Sequence, residues 1–81
     1  MSAIRVDVVR AAVSKVMDLP LDLLVGSTPF DDIGVDSIAR IVIVDAILQT
    51  QPDWQIPAQT IKYSKTISEF AGGITAEEIH G

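Results

Sequence analysis

The feature that most restricts the fold of this chain is a nearly continuous apolar run from Ile38 to Leu48. Two charged residues interrupt the run, and it is too short to cross a bilayer, which takes about 20 apolar residues in a helix. The β-branched segment Ile41–Val44 favours a strand by local propensity. A strand needs a pairing partner, however, and the other valine-rich segment, Val6–Val9, fits a helix better. The pattern therefore predicts a helix over residues 37–50.

The first part of the chain predicts one helix and a long connection. Apolar residues recur at helical spacing across residues 3–17, and Asp18-Leu19-Pro20 ends this helix because a residue before proline is disfavoured in helical geometry. The segment that follows, Leu21–Gly34, is longer than most loops of compact domains, so we expect its own apolar side chains to anchor it. The expected anchors are Leu19, Leu23, Leu24, Phe30 and Ile33.

Two shorter helical segments are predicted after Pro52, which ends the preceding helix. One is a turn of helix near Ala58–Ile61. Thr66-Ile67-Ser68-Glu69 has the S/T-x-x-E form of a capping box, so Thr66 is expected to start the last helix. Residues Thr75–Gly81 are predicted to form a frayed acidic end. The predicted fold is all-α, a small four-helix bundle of three main helices plus one short helix.

Composition narrows the classes of function. The chain has 81 residues, no cysteine and a formal net charge of −5. The length allows one small domain, and the missing cysteines exclude disulfides and thiolate metal sites. The acidic balance argues against a nucleic-acid partner, and the first residues lack the basic-then-apolar order of a signal peptide. We therefore expect a monomeric, cytoplasmic protein with neither a nucleic-acid nor a membrane partner.

Catalysis by the protein itself is not expected. The one histidine, His80, falls in the predicted frayed end, so no acid, base and nucleophile can be combined. Asp31, Asp32 and Asp36 lack the spacing of a calcium-binding loop, and we expect no specific metal site.

The segment Gly34-Val35-Asp36-Ser37-Ile38 places a small polar serine directly before the apolar run. Backbone N–H groups in the first turn of a helix lack intrahelical acceptors, and the helix dipole is positive there, which favours an attached phosphate. Gly34 allows a close turn onto the helix, and Asp36 is expected to cap it and to offer a negative charge to a basic enzyme. The alternative is that Asp36 and Ser37 are only an ordinary pair of capping residues.

The stretch Thr28–Ile38 resembles the phosphopantetheine attachment region of acyl carrier proteins, where a Gly-x-Asp-Ser-(Leu/Ile) motif opens the second helix. The resemblance covers roughly residues 3–74 and includes the order of the elements and the later segment Lys65–Phe70. It implies a carrier domain over residues 1–75 followed by a flexible tail over residues 76–81.

The resemblance also implies the chemistry of the site. Ser37 would carry 4′-phosphopantetheine, with Asp36 and Gly34 beside it in the motif. A phosphopantetheinyl transferase would attach the group from coenzyme A with Mg²⁺. The thiol of the group would then hold acyl groups as thioesters for other enzymes.

The predicted second helix departs from carrier proteins of fatty acid synthesis, which usually line it with acidic residues. By helical spacing Ile43, Val44, Ala46 and Ile47 can face the core. The apolar residues on the other sides cannot all be buried as well, so we expect them to form a contact surface. The predicted docking residues are Ile38, Ile41, Val42, Asp45 and Leu48. The alternative is that the loop Leu21–Phe30 covers part of them.

These observations favour a free-standing acyl carrier protein of polyketide or other secondary-metabolite biosynthesis over one of fatty acid synthesis. Its partners would be the transferase and an acyltransferase or ketosynthase. One alternative is a peptidyl or aryl carrier of nonribosomal peptide synthesis, served by an adenylating enzyme. Asp36 argues against it, because peptidyl carriers more often show Gly-Gly-x-Ser. Another alternative, from a different class, is a small helical interaction module whose Ser37 is never modified.

Overall fold

The computed structural model describes residues 3–76, which form four helices around one apolar core. The helices are α1 (Ala3–Met17), α2 (Ser37–Thr50), α3 (Ala58–Tyr63) and α4 (Ile67–Gly72). Two 3₁₀ turns, Leu21–Leu23 and Phe30–Ile33, lie in the connection between α1 and α2. A two-residue strand β1 (Trp54–Gln55) pairs with β2 (Thr75–Ala76). The predicted all-α four-helix bundle is confirmed; α3 and α4 are each six residues long.

Burial explains why the β-branched run Ile41–Val44 is helical. In α2 the side chains of Ile43 and Ile47 lie four residues apart on one face, and both are fully buried in the core that α2 shares with α1. Val44 and Ala46 are partly buried beside them. The predicted core-facing side of α2 is thus confirmed.

The core joins α1, α2, α4 and the connection. Its fully buried side chains are Val9 and Val13 from α1, Ile43 and Ile47 from α2, Ile67 and Phe70 from α4, and Leu24, Phe30 and Ile74. The rings of Phe30 and Phe70 meet edge to face, with centroids 5.8 Å apart. None of the residues of α3 is buried, so α3 is the helix that the core holds least.

The long connection is anchored by part of the predicted set. Leu24 and Phe30 are buried, and Leu19 and Ile33 pack partly buried against the core. The prediction is wrong for Leu23, whose side chain is 66% exposed because the 3₁₀ turn directs its neighbour Leu24 inwards. A side chain of α1 holds this turn instead: Nε of Arg10 donates to the Leu24 carbonyl at 2.6 Å.

The first two residues of the segment predicted to fray are paired in a short strand. Ala76 pairs with Trp54 and Thr75 with Gln55, antiparallel, and the Thr75 hydroxyl donates to the Gln55 carbonyl at 3.3 Å. The prediction is therefore wrong for Thr75 and Ala76. The rest of the predicted tail, including His80, lies outside the described residues. Among residues 3–76, no helix combines the length and the apolar character that crossing a bilayer requires.

Candidate functional site

Ser37 is the first residue of α2, and its side chain is exposed. Asp36 precedes it in extended geometry and caps the helix as predicted: its Oδ1 accepts from the Ala39 N–H at 2.8 Å. Gly34 has a φ of 76°, in the left-handed region that glycine adopts without strain. Phe30 and Val35, both buried, hold the two sides of this turn. The burial of Phe30 and Val35 thus fixes the turn, and Asp36 and Ser37 are exposed to solvent.

The start of α2 keeps free backbone donors. The first N–H groups of a helix have no intrahelical acceptor, and here only the Ala39 amide receives a side-chain cap. No hydrogen bond from the amides of Ser37 or Ile38 occurs among residues 3–76. Two donors at the positive end of a 14-residue helix therefore lie next to the serine hydroxyl.

An apolar cleft of about 300 Å³ opens beside the serine, between α2 and α3. Its lining residues are Ser37, Arg40 and Ile41 from α2 and Ala58, Ile61 and Lys62 from α3. The walls are almost entirely apolar, so the two cations contribute mainly their aliphatic stems. A flexible chain attached to the Ser37 hydroxyl could enter this cleft directly.

Arg40 is the residue near the site that sequence reasoning missed, since it was read only as a charge within the apolar run. Its Nη1 donates to the Ile61 carbonyl of α3 at 2.9 Å. Its guanidinium carbon lies 4.8 Å from the centroid of the Phe30 ring, within the range of a cation–π interaction. The available signal was its spacing of three residues from Ser37, which places both side chains on one side of the helix.

The predicted docking residues differ in exposure. Ile38, Ile41 and Val42 are 72%, 63% and 47% exposed, so the connection does not cover them. Asp45 is exposed and accepts from Nε2 of Gln49 at 2.9 Å, whereas Leu48 is half-buried. The structure therefore leaves a mainly apolar face of α2 in solvent, next to Ser37.

The acidic residues near the site are not gathered for metal binding. Within residues 3–76 no three His, Cys, Asp or Glu side chains lie close enough together to hold an ion. Asp31 and Asp32 lie on the second 3₁₀ turn, and Asp36 is engaged as the cap of α2.

Comparison with known families defines the class of the protein. A family model described as the phosphopantetheine attachment site matches residues 7–74, most of the chain. Comparisons with curated proteins and with solved structures gave no match. The chain belongs to the family of phosphopantetheine-binding carrier proteins. Members carry covalently attached 4′-phosphopantetheine and act with a transferase and with the enzymes of a pathway, as carriers rather than as catalysts.

The surroundings of Ser37 suit this group. The hydroxyl is exposed, and the amides of Ser37 and Ile38, which make no hydrogen bond within residues 3–76, belong to the same first turn of α2. Free amides at the start of a helix favour a bound phosphate. The cleft between α2 and α3 is apolar and begins at the serine, so it can accept the chain beyond the phosphate.

Proposed function

We propose that Ser37 carries the 4′-phosphopantetheine group and that the protein is an acyl carrier protein of polyketide or other secondary-metabolite biosynthesis. The observation that carries this proposal is the exposed serine at the start of α2, with two free amides beside it. It lies inside the segment that the attachment-site family matches.

Each of the motif residues Ser37, Gly34 and Asp36 has a role in the loading reaction. The Ser37 Oγ attacks the phosphorus that bears pantetheine in coenzyme A, an Oγ–P bond forms, and the pyrophosphate P–O bond breaks. Adenosine 3′,5′-bisphosphate leaves, and the hydroxyl proton passes to a base of the transferase. Gly34 and Asp36 fix the start of the helix, and the Asp36 charge attracts a basic enzyme. The free amides stabilise the new phosphodiester by about 0.3–1 kcal/mol.

The group supplies a thiol that holds acyl chains as thioesters. The chain's own contribution is the surface from which these thioesters are delivered. Ile38, Ile41 and Val42 form its exposed apolar part, and Asp45 adds an acidic residue further along α2. Leu48 lies three residues beyond Asp45 on the same side of α2 and forms the far end of this surface. Such a surface fits an acyltransferase or ketosynthase with an apolar docking patch better than one with a basic patch.

This apolar face supports a specialised pathway over fatty acid synthesis. An exposed contiguous apolar patch on a small domain marks an interaction site. A carrier that docks by apolar contact discriminates against enzymes whose basic patches bind acidic carrier proteins. That selectivity supports the proposed pathway.

Attachment at Ser37 is tested by intact mass after incubation with coenzyme A, Mg²⁺ and a broad-specificity phosphopantetheinyl transferase. We expect the wild-type protein to gain one phosphopantetheine group and Ser37→Ala to gain none. Ser68→Ala is the matched control, because Ser68 is an exposed serine in the first turn of α4. A gain in Ser37→Ala would place the group elsewhere. No gain on a folded wild-type protein would overturn the carrier function and leave the interaction module.

The docking surface is tested with the same transferase as the probe. Ile41→Asp is expected to lower kcat/KM for loading at least about tenfold while the free energy of unfolding changes by less than about 0.5 kcal/mol. Leu23→Asp is the control, since Leu23 is 66% exposed against 63% for Ile41 but lies in the connection. Unfolding of Ile41→Asp, or an equal loss in Leu23→Asp, would contradict the proposed surface.

A further inference from the structure

Arg40 is placed to contact a group attached to Ser37. It lies three residues after the serine in α2, and both residues line the same cleft. Side chains of a helix lean towards its N-terminus, so the long side chain of Arg40 leans back towards the turn that contains Ser37. The contact with the ring of Phe30, a residue of the turn that precedes the motif, is consistent with this direction.

The guanidinium of Arg40 has unused capacity for an anion. It carries five N–H donors, and its one hydrogen bond among the described residues runs from Nη1 to the Ile61 carbonyl. The salt bridge found in that part of the chain belongs to Arg10 and Asp7, so no described carboxylate neutralises Arg40. A half-buried cation held by a carbonyl and an aromatic face is therefore oriented but not charge-paired.

We propose that Arg40 is a positioning residue for the phosphopantetheine arm. Its free guanidinium N–H groups donate to the phosphodiester on Ser37 while Nη1 stays on the Ile61 carbonyl. This contact directs the arm into the cleft between α2 and α3, along Ile41 and Ile61, and away from solvent. The inference rests on the proposed attachment at Ser37.

The chemistry of the pair favours arginine over the other cation of the cleft. A guanidinium presents planar donors that match phosphate oxygens, and the charge-assisted hydrogen bonds so formed are the strong ones. Lys62 is exposed on α3, the helix that the core holds least, and its ammonium sits on a flexible stem. Arg40, fixed at Phe30 and Ile61, loses less side-chain freedom when it binds.

Nuclear magnetic resonance of the protein before and after loading tests the inference, with intact mass as the first readout. The chain has three arginines, Arg5, Arg10 and Arg40, so the Arg40 Nε–H signal is readily assigned. We expect this signal to shift on loading while those of Arg5 and Arg10 stay in place. The ³¹P signal of the phosphodiester is expected to move in loaded Arg40→Gln and to move less in Arg40→Lys.

Lys65→Gln is the matched control, because it removes one positive charge outside the cleft and should leave the ³¹P signal in place. An unchanged Arg40 Nε–H signal on a fully loaded wild-type protein overturns the Arg40 inference alone, and this readout needs no variant to fold. A ³¹P signal that responds to Lys62→Gln and not to Arg40→Gln does the same. No mass gain in the wild type overturns the attachment at Ser37 as well.

Discussion

The helices α2 and α4 both start after a polar capping residue. The first backbone N–H groups of α4 are hydrogen-bonded, whereas the first two of α2 are free within the described chain. At α4 the Ile67 N–H donates to the Thr28 carbonyl at 3.2 Å and the Ser68 N–H to the Gly26 carbonyl at 2.7 Å. The Glu69 N–H donates to Thr66 Oγ1 at 3.1 Å. At α2 the cap satisfies the third amide of the helix, and the first two stay free within the described chain.

The connection between α1 and α2 produces this difference. Its residues Thr28–Phe30 run along the chain that leads into α4, with a bridge between Pro29 and Thr66 and a 2.9 Å hydrogen bond from the Phe30 N–H to the Lys65 carbonyl. Glu69 closes the same end by accepting from the Lys65 N–H at 2.9 Å. The connection then turns at Gly34 and leaves the start of α2 uncovered.

The comparison teaches when a helix N-terminus can serve as an anion site. The dipole and the free N–H groups exist at every helix start, but the preceding chain can use them internally. The first residue of α4, Ile67, is fully buried, whereas the first residue of α2, Ser37, is exposed. Exposure and unused donors coincide at α2, where we propose that the phosphopantetheine group is attached.

The largest expected difference between the two starts is in stability. Ile67→Ala removes a fully buried side chain and should lower the free energy of unfolding by about 2–5 kcal/mol. Ile38→Ala, in the first turn of α2, removes a side chain that is 72% exposed and should change it by less than about 0.5 kcal/mol. Urea unfolding measures both. Similar losses for the two variants would mean that the start of α2 is packed as tightly as that of α4.

The next largest effect is expected at Gly34, in the turn that precedes α2. Gly34→Ala should lower the free energy of unfolding by about 1–2 kcal/mol, because alanine is strained at a φ of 76°. Within residues 3–76, no atom beyond the two chain neighbours lies within 4 Å of an added Cβ at Gly34, so the loss would come from backbone strain and not from a clash. Gly34→Asn is the control, since asparagine tolerates the left-handed region better, and it should lose less. Equal losses in urea unfolding would point to a packing role for Gly34.

The two helix caps should contribute similarly to stability, but only the cap of α2, Asp36, carries a charge. Asp36→Ala deletes the bond to the Ala39 amide and should cost about 0.5–2 kcal/mol of unfolding free energy, as should Thr66→Ala at α4. Asp36→Asn keeps an acceptor at the cap and should stay close to the wild type. If the Asp36 charge also attracts the transferase, Asp36→Asn will be loaded more slowly although its unfolding midpoint is unchanged. If Asp36→Asn is loaded at the wild-type rate, the Asp36 charge does not attract the transferase, and Asp36 acts only as a helix cap.

Local pattern was sufficient for much of the fold and for the motif. The helix over residues 37–50 follows from an apolar run with no strand partner, and the cap at Asp36 follows from the residue type before a helix. The start of α4 follows from the Thr66–Glu69 spacing, although Glu69 accepts from the Lys65 amide and not from that of Thr66. These features depend on neighbours within about one helical turn, which a sequence displays directly.

The features that were missed depend on partners distant in sequence. The pairing of Trp54–Gln55 with Thr75–Ala76 joins two dipeptides about twenty residues apart, and neither has a strand-like length or alternation. Arg40 reaches a carbonyl 21 residues away, and the amides of α4 are satisfied by carbonyls of Gly26 and Thr28. Tertiary packing, rather than local preference, fixes such contacts. The exposure of Leu23 next to buried Leu24 has the same origin.

The smallest expected effect is also the most direct test of the two helix starts. Ser37→Asp and Ser68→Asp each place a carboxylate in the first turn of a helix, on an exposed serine with an acidic neighbour in sequence. At α2 the new charge meets free amides and should stabilise the fold by about 0.3–1 kcal/mol at low ionic strength. At α4 the amides are already bonded, so the gain should be smaller. Urea unfolding at low salt and in 1 M NaCl measures both, and the α2 gain should shrink at high salt because the charges are exposed. Equal gains at the two positions would mean that the dipole alone acts, and that the free donors of Ser37 and Ile38 do not distinguish the start of α2.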